Sequence, residues 1–144
     1  AYQTLHKLFT ETDFDAEELT VVWQSINVEN ECHYCVPAHT GIAKMMKVSD
    51  DISDALRNET PLPTDKLEAL RTFTVQMVRE RGNLSEEQMK AFFDAGYGHR
   101  AVLDVILGLA QKTMSNYVNH VAETQVDEVF RPLAWQRSDT PLKV

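Results

Sequence analysis

Two thiols and an imidazole fall close together in the segment Cys32-His33-Tyr34-Cys35-Val36-Pro37-Ala38-His39, and the chain has no other cysteine. Helical spacing puts Cys32, Cys35 and His39 at i, i+3 and i+7, on one face, with His39 a turn beyond Cys35 and within reach of its sulfur. Pro37 is tolerated only in the first turn of a helix, so the cysteines are placed at a helix start. There the free backbone N–H groups and the helix dipole favour a thiolate, and a nearby imidazole can take the thiol proton. A thiolate beside a second thiol supports one redox cycle. A peroxide oxidises one sulfur to a sulfenic acid, the other condenses with it to a disulfide, and an external dithiol reduces the pair.

Other chemistries fit the pair less well. Zinc would take Cys32, Cys35 and the histidines His33 and His39, but structural zinc sites draw a second ligand pair from a distant segment, and no further cysteine exists. Haem attachment needs histidine directly after the second cysteine, where Val36 stands. A thioredoxin-type motif needs flanking strands, and the chain shows no strand pattern. Two inert, buried cysteines remain as the plain structural reading. Neither a metal nor an organic cofactor is called for.

The bulk properties narrow the setting. The chain has 144 residues, 43% of them hydrophobic, with 22 acidic and 14 basic side chains and a net charge of -8. That suits one folded domain, and its charge repels nucleic acid and anionic lipid. No apolar run reaches membrane-spanning length, and Ala1-Tyr2-Gln3 does not open a signal peptide, so a reducing cytoplasm is the expected location. In that setting a close cysteine pair is more often catalytic than a staple.

The elements that must position the pair read as helices throughout. Leu19, Val22, Trp23 and Ile26 give the stripe of a helix over about 16–28, capped by Asp15 with Glu18 at N3. The next runs from the cysteines to about Lys47. Ser49 opens a short helix with Ile52, Ala55 and Leu56. Thr64 caps one carrying Leu67, Leu70, Phe73, Met77 and Val78, ended by Gly82. Ser85 with Gln88 caps another with Met89, Phe92 and Phe93, stopped by Gly96. The last long helix covers about 99–122, with Val102, Leu103, Ile106, Leu109, Ala110, Met114 and Tyr117. Apolar on more than one face, it belongs in the centre or in a subunit interface. Residues 131–144 read as a partly loose tail, which Trp135 can pin to the body. His6 and His99 read as solvated, and His120 as a histidine favouring the helix dipole. The expectation is a single all-α domain over 1–144, of about six helices, with a core over 16–130.

The stretch Asn30-Glu31-Cys32-His33-Tyr34-Cys35-Val36-Pro37-Ala38-His39 resembles the N-x-C-x-Y-C-x-x-x-H signature of the AhpD-like, or carboxymuconolactone decarboxylase, superfamily. Leu84-Ser85-Glu86-Glu87-Gln88, Ala95-Gly96-Tyr97 and Asn116-Tyr117-Val118-Asn119-His120 are similar to its second half. The resemblance covers about 17–130. It implies an all-α AhpD-like domain assembled as a homotrimer or homohexamer. It also implies a thiol-dependent hydroperoxide reductase in which Cys35 forms the sulfenic acid, Cys32 resolves it, and His39 belongs to the proton relay. The electron donor would be a lipoyl protein or a thioredoxin-like protein. Two relay positions depart from the alkylhydroperoxidase members. Thr20 stands where they have glutamate, and Tyr34 where they have histidine. Glu18 and His33 lie near those positions and join Tyr34 as accessory candidates. The alternative is a redox-responsive oligomer, or a dithiol–disulfide exchange protein with little peroxidase activity.

Overall fold

The computed structural model describes residues 1–137, and every regular element among them is helical. In order they are α1 Tyr2–Thr10, α2 Ala16–Glu29, α3 Cys35–Met45, α4 Asp50–Asn58, α5 Asp65–Arg79, α6 Glu86–Asp94, α7 His99–Val121 and a short 3-10 helix, Glu128–Leu133. The expected helices are all present, and α1 is additional. Its N-terminus has no side-chain cap and Phe9 is its one buried residue, so its sequence carries little local signal.

The helix starts follow from local chemistry. Asp15 Oδ1 accepts from Glu18 N at 2.9 Å while Glu18 Oε2 accepts from Asp15 N at 3.1 Å. Ser85 and Gln88 make the same reciprocal pair at α6, and Thr64 Oγ1 accepts from Leu67 N at α5. Each such cap contributes roughly 1 kcal/mol.

Helix α2 is central, buried from Glu18 to Val28, and packs on α3, α4, α5 and α7. Val21, Val22, Trp23 and Ile26 join Phe9, Leu70, Phe73 and Val105 in the core. Phe73, Phe92 and Tyr97 stack in series, with centroids 3.8 Å and 4.6 Å apart. At Gly108 an added Cβ would lie 2.8 Å from Phe9 and 2.9 Å from Val22, so glycine lets α7 approach α1 and α2 this closely.

Helix α7 divides the residues that the sequence reading groups as one lining. Val105, Gly108, Gln111, Lys112 and Asn116 point inward, whereas Leu103, Ile106, Met114 and Tyr117 are exposed. Val102 and Leu109 of the predicted lining pack against the core, the inner face turns polar from Gln111 onward where it serves the cysteine site, and the remaining apolar residues lie on the outside of the chain.

In the carboxyl-terminal segment Trp135 pins the chain to the body as expected, while the expected looseness is corrected. Up to Arg137 it is not loose but strapped over α3. Arg57 Nη1 and Nη2 donate to Leu133 O and Ala134 O at 3.0 and 3.1 Å, and Trp135 Nε1 donates to Arg57 O at 2.8 Å. Arg137 pairs with Glu59 and Glu29 at 2.9 and 3.1 Å. The remainder of the expected tail, including Pro141, lies outside the described residues.

Candidate active site

The end of α2 delivers the first cysteine. Glu31 takes a left-handed conformation, φ 52°. Its N–H bonds Val28 O at 3.0 Å, and Cys32 N bonds Asn27 O at 2.9 Å. These two bonds are those of a Schellman end, which turns the chain back onto the last turn of the helix. A non-glycine residue in that conformation costs about 1 kcal/mol, so the site holds some backbone strain. Cys32 therefore sits in the turn just before α3, so the cysteines stand at a helix start as the spacing predicts, with Cys35 alone inside the helix. Cys35 is the first residue of α3, and Pro37 falls in the first turn, where its missing N–H costs nothing.

Both cysteines are free thiols, and both are buried. Cys35 N donates to Cys32 Sγ at 3.2 Å. Asn119 Nδ2 donates to Cys35 Sγ at 3.2 Å, and Ser115 Oγ lies 4.0 Å from that sulfur. The two thiols titrate in opposite directions. The hydrogen bond from Cys32 is the largest cause lowering Cys35, to about 5; burial opposes it, and the charge of Lys112 and the amides of Asn119 and Asn116 add to the lowering. Cys32 is raised, first because its thiol is held as donor to Cys35 and then by burial. The anion therefore settles on Cys35, and Cys32 keeps its proton.

His39 is buried, but its hydrogen-bond partner is not a sulfur. Lys112 Nζ lies 2.8 Å from its Nε2. Burial, then the charges of Lys112 and His6, hold the imidazole well below its ordinary pKa. Burial also lowers Lys112 to about 8, against the pull of the two cysteines. The pair has two proton arrangements. An ammonium can donate to Nε2, or a neutral amine can accept from Nε2–H. His39 Nδ1 is buried without a hydrogen-bond partner among the described residues. Trp23 packs on the His39 ring at 5.0 Å and donates to Gln111 Oε1 at 2.8 Å, which ties α2, α3 and α7 together at this point.

No carboxylate hydrogen-bonds either sulfur among the described residues. A chain of neutral amides stands behind the cysteines instead. Asn30 Nδ2 donates to Asn116 Oδ1 at 3.0 Å, Asn116 Nδ2 to Asn27 Oδ1 at 2.9 Å, and Asn27 Nδ2 to Gln24 Oε1 at 3.0 Å. Asn27 also reaches Cys35 O at 3.4 Å, and Gln24 bonds Val36 O at 3.0 Å. These contacts hold the first turn of α3 by its backbone carbonyls.

The accessory candidates divide. Tyr34 lines the cleft over Cys35, with its hydroxyl donating to Asp127 Oδ2 at 2.8 Å. Glu18 is corrected. It lies at the opposite end of α2, bonded to Asp15 N, to Tyr97 Oη at 3.1 Å and to Lys66 at 3.0 Å. Twelve residues of helix separate it from Asn30, about 18 Å along the axis. His33 is also corrected: it is exposed beside Trp135 and lines a neighbouring polar cavity with Glu29, His120 and Asn119, the last shared with the cleft over Cys35. Thr20 donates to Ala16 O, away from the sulfurs. His6 is not simply solvated, since it stacks on Trp23 at 5.6 Å and meets Gln111 Nε2 at 3.1 Å. His99 is exposed, against Phe93.

The cleft over Cys35 has a volume of about 450 Å³. Cys35, His39, Lys112, Ser115 and Asn119 form its polar part, and Ile42, Met114, Val118 and Phe130 its apolar part. Sequence reading missed Lys112, Ser115, Asn116, Asn119 and Phe130. In the segment 116–120 the two asparagines face the cysteines, whereas His120 is exposed.

The architecture matches that of solved proteins. The chain superposes on an uncharacterized peroxidase-related protein from Silicibacter sp. TM1040 with a TM-score of 0.78 and 16% identity, over 90% of this chain and 70% of that one. It superposes on a second protein, described as alkylhydroperoxidase AhpD core and as an uncharacterized peroxidase-related protein from Ralstonia eutropha JMP134, with a TM-score of 0.74 and 19% identity over the same shares. The fold is that of the AhpD core. No family model matches the chain, and no curated protein matches it by sequence. On this AhpD-type framework the Cys32–Cys35 pair stands at the turn between α2 and α3, under a cleft walled by α3, α7 and the strap.

Proposed function

We propose that the chain reduces organic hydroperoxides through a Cys32/Cys35 dithiol–disulfide cycle. The observation that carries this reading is the division of labour between the sulfurs. Cys35 is an acidic thiol opening on a cleft, and Cys32 is a buried thiol that keeps its proton behind it.

The Cys35 thiolate attacks the terminal oxygen of the hydroperoxide, the O–O bond breaks, and the alkoxide takes a proton from the Lys112 ammonium. This leaves a sulfenic acid, an alcohol and a neutral amine, with charge conserved. The Cys32 sulfur then displaces hydroxide from Cys35, and its proton leaves with the hydroxide as water. A dithiol donor opens the disulfide by exchange and is itself oxidised. The proton of the regenerated Cys35 thiol passes to the Lys112 amine, which restores the starting pair. His39 holds that amine in place and shares its proton. A lipoyl protein or thioredoxin-like donor, in a reducing cytoplasm, suits this last step.

Turnover of a panel running from hydrogen peroxide to cumene hydroperoxide, with a dihydrolipoyl donor, tests the reading. Cys35→Ser should abolish it, and Cys32→Ser should permit one oxidation per site without recycling. Unchanged turnover in Cys35→Ser would sink the proposal.

The exposed stripe of α7 (Leu103, Ile106, Met114, Tyr117, Val118 and Val121) favours a second reading, a redox-responsive homo-oligomer, trimeric or hexameric, with copies packed on that stripe. Sedimentation of reduced and oxidised protein separates the two. A size change without turnover supports the second, and turnover at constant size supports the first.

A further inference from the structure

The hydroperoxide reading leaves open which organic group the cleft admits, and the strap bears on that. Resting on that reading, we infer that Phe130 is the specificity-determining residue of the Cys35 cleft, setting the breadth of substituent that reaches the sulfur.

Phe130 sits in the 3-10 helix and lines the apolar half of the cleft with Ile42, Met114 and Val118. Its ring is seated in a notch that α3 provides. A Cβ added at Gly41 would fall 2.6 Å from Phe130 Cε1 and 3.0 Å from Cδ1. Glycine is unfavourable inside a helix, and Gly41 is inside α3, so the notch marks a close approach of the ring rather than a turn. Bonds that never touch the sulfurs fix the strap on both sides of the ring. Tyr34 Oη bonds Asp127 before it, and Arg57 bonds Leu133 O and Ala134 O after it. Phe130 is thus a wall whose position is set independently of the thiol chemistry. It lines the same cleft as Cys35, Lys112 and Asn119. Such a wall admits a flat or narrow apolar substituent along α3 and excludes a broad one. The substrate class is an organic hydroperoxide of limited width.

The test reads access to Cys35 before it reads turnover. In the reduced protein, rates of Cys35 alkylation by iodoacetamide and by N-(1-pyrenyl)maleimide are measured, with the modified residue assigned by mass. Phe130→Ala should raise the bulky-to-small rate ratio about tenfold. Gly41→Ala, which pushes the ring off α3 into the cleft, should lower it. Phe130→Leu replaces Phe130→Ala if the latter loses its thermal transition. The kcat/KM for cumene hydroperoxide relative to hydrogen peroxide should follow the same order, with the change in KM rather than kcat. A ratio within about twofold of the unmodified chain in both variants, or equal acceleration of both reagents, overturns the inference. If the ratio moves as stated while no hydroperoxide is consumed, the wall stands and the peroxidase reading falls. If hydroperoxides turn over and neither ratio nor KM moves, the wall alone falls.

Discussion

The two ends of α2 bury polar groups of opposite kinds. At the amino end the Glu18 carboxylate, 7% exposed, is held by Asp15 N, Tyr97 and Lys66. At the carboxyl end Gln24, Asn27 and their partner Asn116 are fully buried, and all are neutral. An anchor can use a charge when a cation and a backbone N–H meet it. A carboxylate beside a thiolate would repel it and raise its pKa. Amides hold the same backbone without that penalty, which leaves Lys112 as the charge that acts on Cys35.

The sharpest way to break this comparison is to remove that lysine. Lys112→Met keeps length and apolar stem and deletes the cation. With Lys112 present, Cys35 is a thiolate down to about pH 5, so alkylation by iodoacetamide should rise through that pH and then level off. Lys112 loses its proton near 8, so hydroperoxide turnover, which needs the ammonium as donor, should fall above that pH. In the variant the thiolate titration should move upward and the rate at pH 6 should fall about tenfold or more. Melting temperature should hold or rise, because a buried ammonium costs desolvation. An unmoved titration midpoint would assign the acidity of Cys35 to Cys32 and the helix end alone.

The second way is to bring the chemistry of one end to the other. Asn27 donates to Gln24 Oε1 and Cys35 O and accepts from Asn116. Asn27→Asp replaces the donor by an oxygen that faces two acceptors. It should cost about 2 kcal/mol in denaturant unfolding. Where the aspartate is ionised it should also raise the Cys35 titration midpoint. A loss of stability with no change in that midpoint would mean that amide neutrality matters to folding and not to the sulfur.

The same contrast explains what was legible in the sequence. The Cys32–Cys35 pair, the Asp15/Glu18 and Ser85/Gln88 boxes and the helix starts rest on neighbours within a turn, so local spacing reveals them. Lys112 reaches His39 across 73 positions and Asn119 reaches Cys35 across 84. A lysine or asparagine inside a long helix reads as a solvated position unless its partner is known. The apolar stripe of α7 reads as an inner or interface face; much of it lies outside on the chain, open for the second of these, because the inner face carries polar residues from Gln111 onward. The strap reads as loose for a related reason. Its ties to Arg57 and Glu59 span 76 to 78 positions and use carbonyls and an arginine, which leave no hydrophobic pattern.

The smallest effect is expected at the amino end and concerns independence. Glu18→Gln removes the charge that meets Lys66 but keeps an oxygen able to accept from Asp15 N, so the capping geometry survives in part. Lys66 is 56% exposed, and water screens most of that ion pair. The cost should therefore be about 1 kcal/mol, measured by denaturant unfolding. The Tyr97 hydroxyl, pushed up in pKa by burial and then by the Glu18 charge, should titrate nearer its ordinary value in the variant, which ultraviolet difference spectra can follow. Cys35 alkylation should not change in rate or in pH dependence, because about 18 Å of helix separates the carboxylate from the turn that carries the thiols. A shift in the Cys35 midpoint would show that α2 transmits charge or position between its ends, and the two polar clusters would then be one system.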